Sequence, residues 1–245
     1  MNGAIIMAGG GGTPNETPQT MLRLAGGAHA RVVILAHTQE DIGRGARRSA
    51  EFFAENGAQN VLAPDTIDPE ELAGLLREAR AVWIPGGDQN RFMERLGGSE
   101  AFLKAIREVA VRGGVVGGTS AGASLMGARM PTGDHSPDGD LKGGACPTAP
   151  ALGLIPNAIV DQHFLKRQRL PRLLCAVLEH PTLVGVGVDE DAWAIVRGRR
   201  LTAHRAQVAI IRARAKTQQR NGLLGNRDVQ IQLLLPNEQV ELLDK

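Results

Sequence analysis

One stretch restricts the architecture of this chain more than any other. Gly113-Gly114-Val115-Val116-Gly117-Gly118-Thr119-Ser120-Ala121-Gly122-Ala123-Ser124-Leu125-Met126 opens as a β-branched run and stops at glycines. It then offers one serine and continues into small helix-forming residues. Gly118-x-Ser120-x-Gly122 has the spacing of a nucleophile elbow, a sharp strand-to-helix turn that holds a serine in strained backbone. Side chains two residues either side of that serine would collide, so the turn asks for glycine at both places. It projects Oγ outward and leaves the first amides of the helix free to stabilise an oxyanion. The bland alternative is a glycine-rich turn with an idle serine.

The same strand-then-helix order recurs along the chain. Ala4 to Ala8 reads as a short buried strand ending in Gly9-Gly10-Gly11-Gly12. A dinucleotide fingerprint needs a helix directly after such glycines. Thr13 to Pro18 reads as a loop instead, so a nucleotide site is rejected and the glycines become a turn beside a site. Strands follow at Arg31 to Ala36, Val61 to Ala63 and Ala81 to Ile84, the last ending in Pro85-Gly86-Gly87-Asp88-Gln89. Helices are predicted from Asp41 to Asn56, from Asp68 to Ala79 with Pro69 in the first turn, and from the Ser99 cap to Val111. Ala158 to Val160 and Leu183 to Val188 are further buried strands, with a helix from Pro171 to Glu179 between them. Ala192 to Arg197, Gln207 to Ile211 and Gln230 to Leu235 read as an antiparallel finish at one sheet edge.

This order predicts an α/β fold: a three-layer, mostly parallel sheet with helices on both faces and antiparallel C-terminal strands. Parallel strands bring their carboxyl ends to one edge, so the Gly9 loop, the Gly86 turn and Ser120 converge there. Neither repeat nor linker is visible, so the chain reads as one domain over residues 1–245.

Composition narrows the function classes. A net charge of +2 makes no electrostatic case for nucleic acid or a membrane surface. The two cysteines, Cys146 and Cys175, make neither a metal site nor a disulfide framework, and both read as structural. Asp134, His135, Asp138 and Asp140 fall in an irregular segment between Met130 and Pro150, with room for a short hairpin. Their spacing matches no calcium or zinc pattern, so a solvated loop and no metal are expected. The chain start lacks a basic region, its apolar run is too short for a secretion signal, and no segment has transmembrane length. A cytoplasmic protein is the expectation.

A serine nucleophile needs a base, and the base needs an orienting group. Of six histidines, only His163 follows the carboxyl end of a buried strand, where the serine turn also belongs. Asp189 and Glu190 follow another buried strand, and alternation along extended chain lets only one of them face His163. The order serine, histidine, acid differs from the α/β-hydrolase order and disfavours an ordinary lipase or esterase. Ala121 N–H and an amide of the Gly86-Gly87 turn are the candidate oxyanion donors, with Gln89 nearby for substrate polar groups. Arg167, Arg169 and Arg172 suggest either carboxylate recognition, since a guanidinium fork pairs with carboxylates, or a solvated basic helix start.

These residues resemble the cyanophycinase and peptidase E family of serine peptidases. The resemblance rests on Pro85-Gly86-Gly87-Asp88-Gln89, Gly118-Thr119-Ser120-Ala121-Gly122-Ala123, Asp161-Gln162-His163-Phe164 with its trailing arginines, and Gly185-Val186-Gly187-Val188-Asp189-Glu190. The Asp161 to Phe164 segment is closer to the cyanophycinase branch. The resemblance implies a class I glutamine-amidotransferase-like (flavodoxin-like) fold, usually dimeric, with no cofactor. It implies Ser120 as nucleophile, His163 as base and Glu190 as third member, with Gly87 and Ala121 at the oxyanion. Gln89, Asp161, Gln162, Arg167, Arg169 and Arg172 would shape a pocket for β-linked aspartyl substrate. The implied substrate is cyanophycin, a polyaspartate bearing arginine on each β-carboxyl, cut to β-Asp-Arg dipeptides. The alternatives are an α-aspartyl dipeptidase like peptidase E and a catalytically silent homologue that binds an acidic peptide or metabolite.

Overall fold

The computed structural model describes residues 2–133 and 139–242. Its elements run β1 Ala4–Ala8, α1 Glu16–Ala25, β2 Val32–Ile34, α2 Ile42–Glu55, β3 Val61–Leu62, α3 Pro69–Leu76, β4 Ala81–Ile84, α4 Gln89–Leu96, α5 Glu100–Val111, β5 Val115–Thr119 and α6 Ala121–Ser124. There follow β6 Gly127–Pro131, β7 Thr148–Pro150, β8 Ile155–Gln162, α7 Leu170–Glu179, β9 Val184–Val188, β10 Trp193–Arg197, β11 Arg200–His204, β12 Val208–Ala213, β13 Gln218–Arg220, β14 Leu223–Gly225, β15 Val229–Leu234 and β16 Gln239–Glu241.

The strands are shared between two main sheets. The first has the order β16-β11-β10-β1-β5-β4-β2-β3, the second β15-β12-β9-β8-β6-β7, and β13-β14 is a separate ribbon. In the first sheet β1, β5, β4, β2 and β3 are parallel. In the second, β6, β8 and β9 are parallel. The antiparallel C-terminal strands do not share one edge as expected: β10 joins β1, whereas β12 and β15 extend the second sheet from β9. Short apolar strands of similar composition carry no label of their partner.

Side-chain alternation builds the layers. Ile6 and Ala8 of β1 point to one face with Met21 of α1 and Phe53 of α2. Ile5 and Met7 point to the other, into a core shared by α3, α5 and the inner face of the second sheet. Helix α7 covers the outer face of the second sheet through Leu173 and Val177 against Ile159 and Ile211. The predicted caps form: Asp41 accepts from Arg44 N, Asp68 from Glu70 N and Ser99 from Phe102 N.

Residues 13–18 are not the loop expected, because α1 begins at Glu16. Pro18 falls in its first turn, where a missing N–H has no intrahelical acceptor to lose. Between Met130 and Pro150, β6 and β7 pair antiparallel. Asp134, His135 and Asp138 lie outside the described residues, and Asp140 is exposed. Among the described residues no helix is long and apolar enough to cross a membrane.

Candidate active site

Ser120 sits between β5 and α6 with φ 52° and ψ −119°. A β-carbon is disfavoured at positive φ, so surrounding structure must hold this backbone. The glycines do so by permitting close approach. A Cβ on Gly118 would fall 2.6 Å from the Gly122 backbone, and one on Gly122 would fall 2.0 Å from the Ile84 carbonyl. Ser120 N donates to Ala8 O at 3.0 Å, which fastens the turn to the end of β1.

His163 lies directly after β8, also at positive φ, 45°. Its amide donates to Gly9 O at 2.8 Å. The ring rests on Gly10, where a Cβ would come within 2.4 Å of it, and Glu190 rests on Gly11, where a Cβ would meet the carboxylate at 2.8 Å. The glycine run after β1 therefore brings first-sheet backbone against two side chains delivered by the second sheet. Sequence reasoning placed this turn beside the site but did not find that contact.

Ser120 Oγ is 2.9 Å from His163 Nε2, and His163 Nδ1 is 2.6 Å from Glu190 Oε1. A carboxylate accepts and does not donate, so Nδ1 carries the proton and the Nε2 lone pair faces the serine hydroxyl. Burial is the largest influence on the imidazole and moves its pKa below the ordinary histidine value. The hydrogen bond to Glu190 opposes that, and nearby Arg167 adds to it. The hydrogen bond with His163 holds the Glu190 carboxyl below the usual carboxylate range. Asp189 turns elsewhere: its Oδ1 accepts from Leu165 N and Lys166 N, both at 3.0 Å, and so fixes the turn after His163.

The Gly86-Gly87 turn stands next to the serine. A Cβ on Gly86 would be 3.2 Å from Ser120 Cβ, and Gly87 has φ 142° with Thr38 O in the way of any side chain. Thr38 Oγ1 donates to the carbonyls of Pro85 and Gly86, and the Gln39 amide also donates to Gly86 O. Among the described residues the amides of Gly87 and Ala121 donate no hydrogen bond. Asp88 is the N-cap of α4, accepting from Asn90 N and Arg91 N.

A polar cleft of about 450 Å³ opens over Ser120, lined by Gly87, Gln89, Asn90, Thr132, Gly133, Gln162 and Arg167 among others. Gln162 Oε1 lies 3.4 Å from Ser120 Oγ. Gln89 and Asn90 donate to Pro131 O and Thr132 O, tying the far wall to α4. Asn90 and Thr132 are lining residues that sequence reasoning missed, because no motif marks them.

Asp161, Arg169 and Arg172 are not in the cleft lining. Asp161 is fully buried and both arginines are 2% exposed. Arg172 grips Asp161 with two nitrogens, Nε to Oδ2 at 2.7 Å, and also donates to Gly133 O. Arg169 Nη1 donates to Gln162 O at 2.9 Å. The expectation that these three line the substrate pocket is thus corrected to a buried support behind it. Paired charges satisfy one another where unpaired ones would not tolerate burial. Among the described residues no group of three or more histidine, cysteine, aspartate or glutamate side chains is arranged to hold a metal.

The sequence matches peptidase family S51 over residues 5–204. It is 32% identical over 185 residues to a cyanophycinase of Geminocystis herdmanii, covering 74% of this chain and 68% of that one. It is 35% identical over 187 residues to a cyanophycinase of Trichormus variabilis, covering 74% of this chain and 62% of that one. These matches span about three fifths to two thirds of the relatives' own length. The fold is similar to that of a peptidase from an acI-B1 Actinobacterium, with TM-score 0.69 and 20% identity over 98% of this chain and 97% of that one.

Proposed function

The chain belongs to peptidase family S51, and on that premise we propose that it is a serine peptidase acting on cyanophycin or related β-aspartyl peptides through Ser120, His163 and Glu190. The observation that carries this reading is the unbroken relay from Ser120 Oγ through His163 to Glu190, with contacts of 2.9 and 2.6 Å. His163 Nε2 takes the hydroxyl proton as Oγ attacks the scissile carbonyl. The Gly87 and Ala121 amides stabilise the oxyanion that forms. The imidazolium, held by Glu190, then gives its proton to the leaving amine. Water repeats the sequence on the acyl-enzyme and frees the serine.

The substrate class is supported by likeness to proteins named cyanophycinase and by Arg167 and Gln162 in the polar cleft. Arg167 is the cation offered to an aspartyl carboxylate, while Asp161, Arg169 and Arg172 position Gln162 and the cleft wall from behind.

The test is incubation of the purified protein with cyanophycin, beside its Ser120→Ala variant, with mass detection of β-Asp-Arg. Dipeptide from the unmodified protein alone is expected. Equal release by both proteins removes Ser120 from the mechanism. No release from cyanophycin or any β-aspartyl peptide overturns the reading.

A further inference from the structure

The turn that offers the Gly87 amide to the polar cleft joins two glycines, Gly86 and Gly87. Glycine is required at both places. A Cβ on Gly86 would press to 3.2 Å from Ser120 Cβ, and one on Gly87 would fall 2.4 Å from Thr38 O. The same freedom leaves the turn poorly defined by itself. Rotation of the single peptide group between the two glycines would exchange the Gly87 N–H for the Gly86 carbonyl oxygen. That oxygen would repel a developing oxyanion instead of stabilising it. The peptide group therefore has to be fixed from outside the turn.

The segment after β2 does this. Thr38 is fully buried, and its hydroxyl lies 2.9 Å from Gly86 O and 3.0 Å from Pro85 O. The Gln39 side-chain amide donates to the same Gly86 O. Two side chains thus converge on one carbonyl. Thr38 also holds the far end of the turn, because its own carbonyl accepts from Asp88 N at 2.9 Å and from Arg91 Nη1 at 3.1 Å. The segment is itself pinned, since Arg95 Nη1 donates to His37 O at 3.0 Å and to Gln39 O at 2.7 Å. The Gly86–Gly87 peptide is trans, so its C=O and N–H point in opposite directions. A carbonyl drawn toward Thr38 and Gln39 turns the Gly87 N–H the other way, and Gly87 lines the cleft with Ser120. Donors on the carbonyl also polarise the amide and strengthen its N–H.

We propose that Thr38 and Gln39 are positioning residues for the oxyanion donor, a latch that holds the Gly86–Gly87 peptide with its N–H toward the cleft. This rests on the serine peptidase reading above, in which the Gly87 amide meets the oxyanion. Both side chains act through Gly87. The oxyanion exists only after Ser120 has attacked, so the latch acts on kcat and leaves substrate binding alone.

The experiment compares the unmodified full chain with Thr38→Val, Thr38→Ser and Gln39→Ala. Steady-state turnover of a β-aspartyl peptide is measured beside the rate at which a fluorophosphonate labels Ser120, with a melting curve for each protein. Thr38→Val loses the hydroxyl and keeps the branched shape. It is expected to lower kcat and the labelling rate by about 10-fold each, with KM within about twofold. Thr38→Ser returns the hydroxyl and is expected to recover both rates to within about threefold. Gln39 is half-buried, and Gln39→Ala is expected to lower kcat by about threefold; this variant decides the matter if Thr38→Val does not fold. The proposal is overturned if the loss falls on KM, if serine at position 38 restores nothing, or if folded variants keep the kcat of the unmodified protein. That last result, with the unmodified protein active, leaves the peptidase reading standing. No peptide turnover, with labelling that still falls in Thr38→Val, removes the substrate reading and leaves the latch standing. Neither turnover nor labelling in the unmodified protein removes both.

Discussion

The two sheets contribute to the candidate site in different ways. The first supplies backbone: the Ser120 turn after β5, the Gly86-Gly87 turn after β4 and the Gly9 to Gly11 run after β1. Its contribution depends on the absence of side chains. The second supplies titratable groups, His163 after β8 and Glu190 after β9, with the Asp161 and Arg172 pair beneath them. Its contribution depends on side chains held by partners. The halves meet at one seam, where Gly10 and Gly11 lie under His163 and Glu190. A serine peptidase site assembled this way is vulnerable to added atoms on one side and to lost atoms on the other.

Removing the one reactive side chain of the first half has the largest expected effect. Ser120→Ala lowers turnover of a β-aspartyl peptide by about 10⁴-fold or more, while the thermal midpoint stays close to that of the unmodified protein. Steady-state rates and a melting curve check both. Equal loss of turnover and of midpoint would erase the distinction between the halves.

In the second half, Glu190→Gln is expected to reduce kcat/KM by about 10³-fold, because the amide no longer enforces the reactive tautomer. Its pH profile carries a sign. As the proposed base, His163 must be neutral, so activity is expected to rise with pH through its pKa, which burial holds below the ordinary value. Glu190 works against that lowering. Its neutralisation therefore moves the acid limb to still lower pH. A limb that moves to higher pH would show that Glu190 does not face the imidazole.

The seam is tested by a single methyl group. Gly10→Ala places a Cβ 2.4 Å from the His163 ring at φ +99°, whereas Gly12 has nothing within 4 Å of such an atom. Turnover is expected to fall about 10²-fold in Gly10→Ala through misplacement of the base and to be unaffected in Gly12→Ala. Equal rates for the two variants would mean the ring moves aside freely.

The smallest expected effect is Arg172→Lys, which keeps the charge beneath the second half but loses the two-pronged grip on Asp161. A loss of about 1–2 kcal/mol in unfolding free energy is expected by denaturant titration. KM should rise more than kcat falls, because Gly133 of the cleft wall is held by the same guanidinium.

The first half was the more legible in sequence, and the reason is physical. Glycine spacing around Ser120 reports a steric demand that acts within a few residues. The caps and strand runs are equally local, so the α/β order was readable. The second half depends on distant partners. Sequence alternation offered Asp189 and Glu190 equally as partners for His163. Only the fold turns Glu190 to the ring and commits Asp189 to the amides of Leu165 and Lys166. The clustering of Arg169 and Arg172 looked like a receptor because burial against Asp161 leaves no mark at that spacing. The glycines after β1 read as a turn beside a site without showing what rests on them, because the ring that needs them lies more than a hundred residues onward. Pro18 disguised the start of α1, being a residue that ends helices and also opens them.

The aromatic side chains have an optical consequence. The chain contains no tyrosine and two tryptophans, so its near-ultraviolet emission comes from two known places. Trp193 is stacked on His204 at 4.1 Å beneath α1, away from the lining of the polar cleft. Trp83 packs against Phe53 and forms the deep wall of a chamber of about 360 Å³ that Phe52, Arg48 and Thr119 also line. With Trp193 replaced by phenylalanine, the remaining indole is a built-in lamp at the far end of that chamber. Its colour and brightness then report an occupant without a label and without a turnover event.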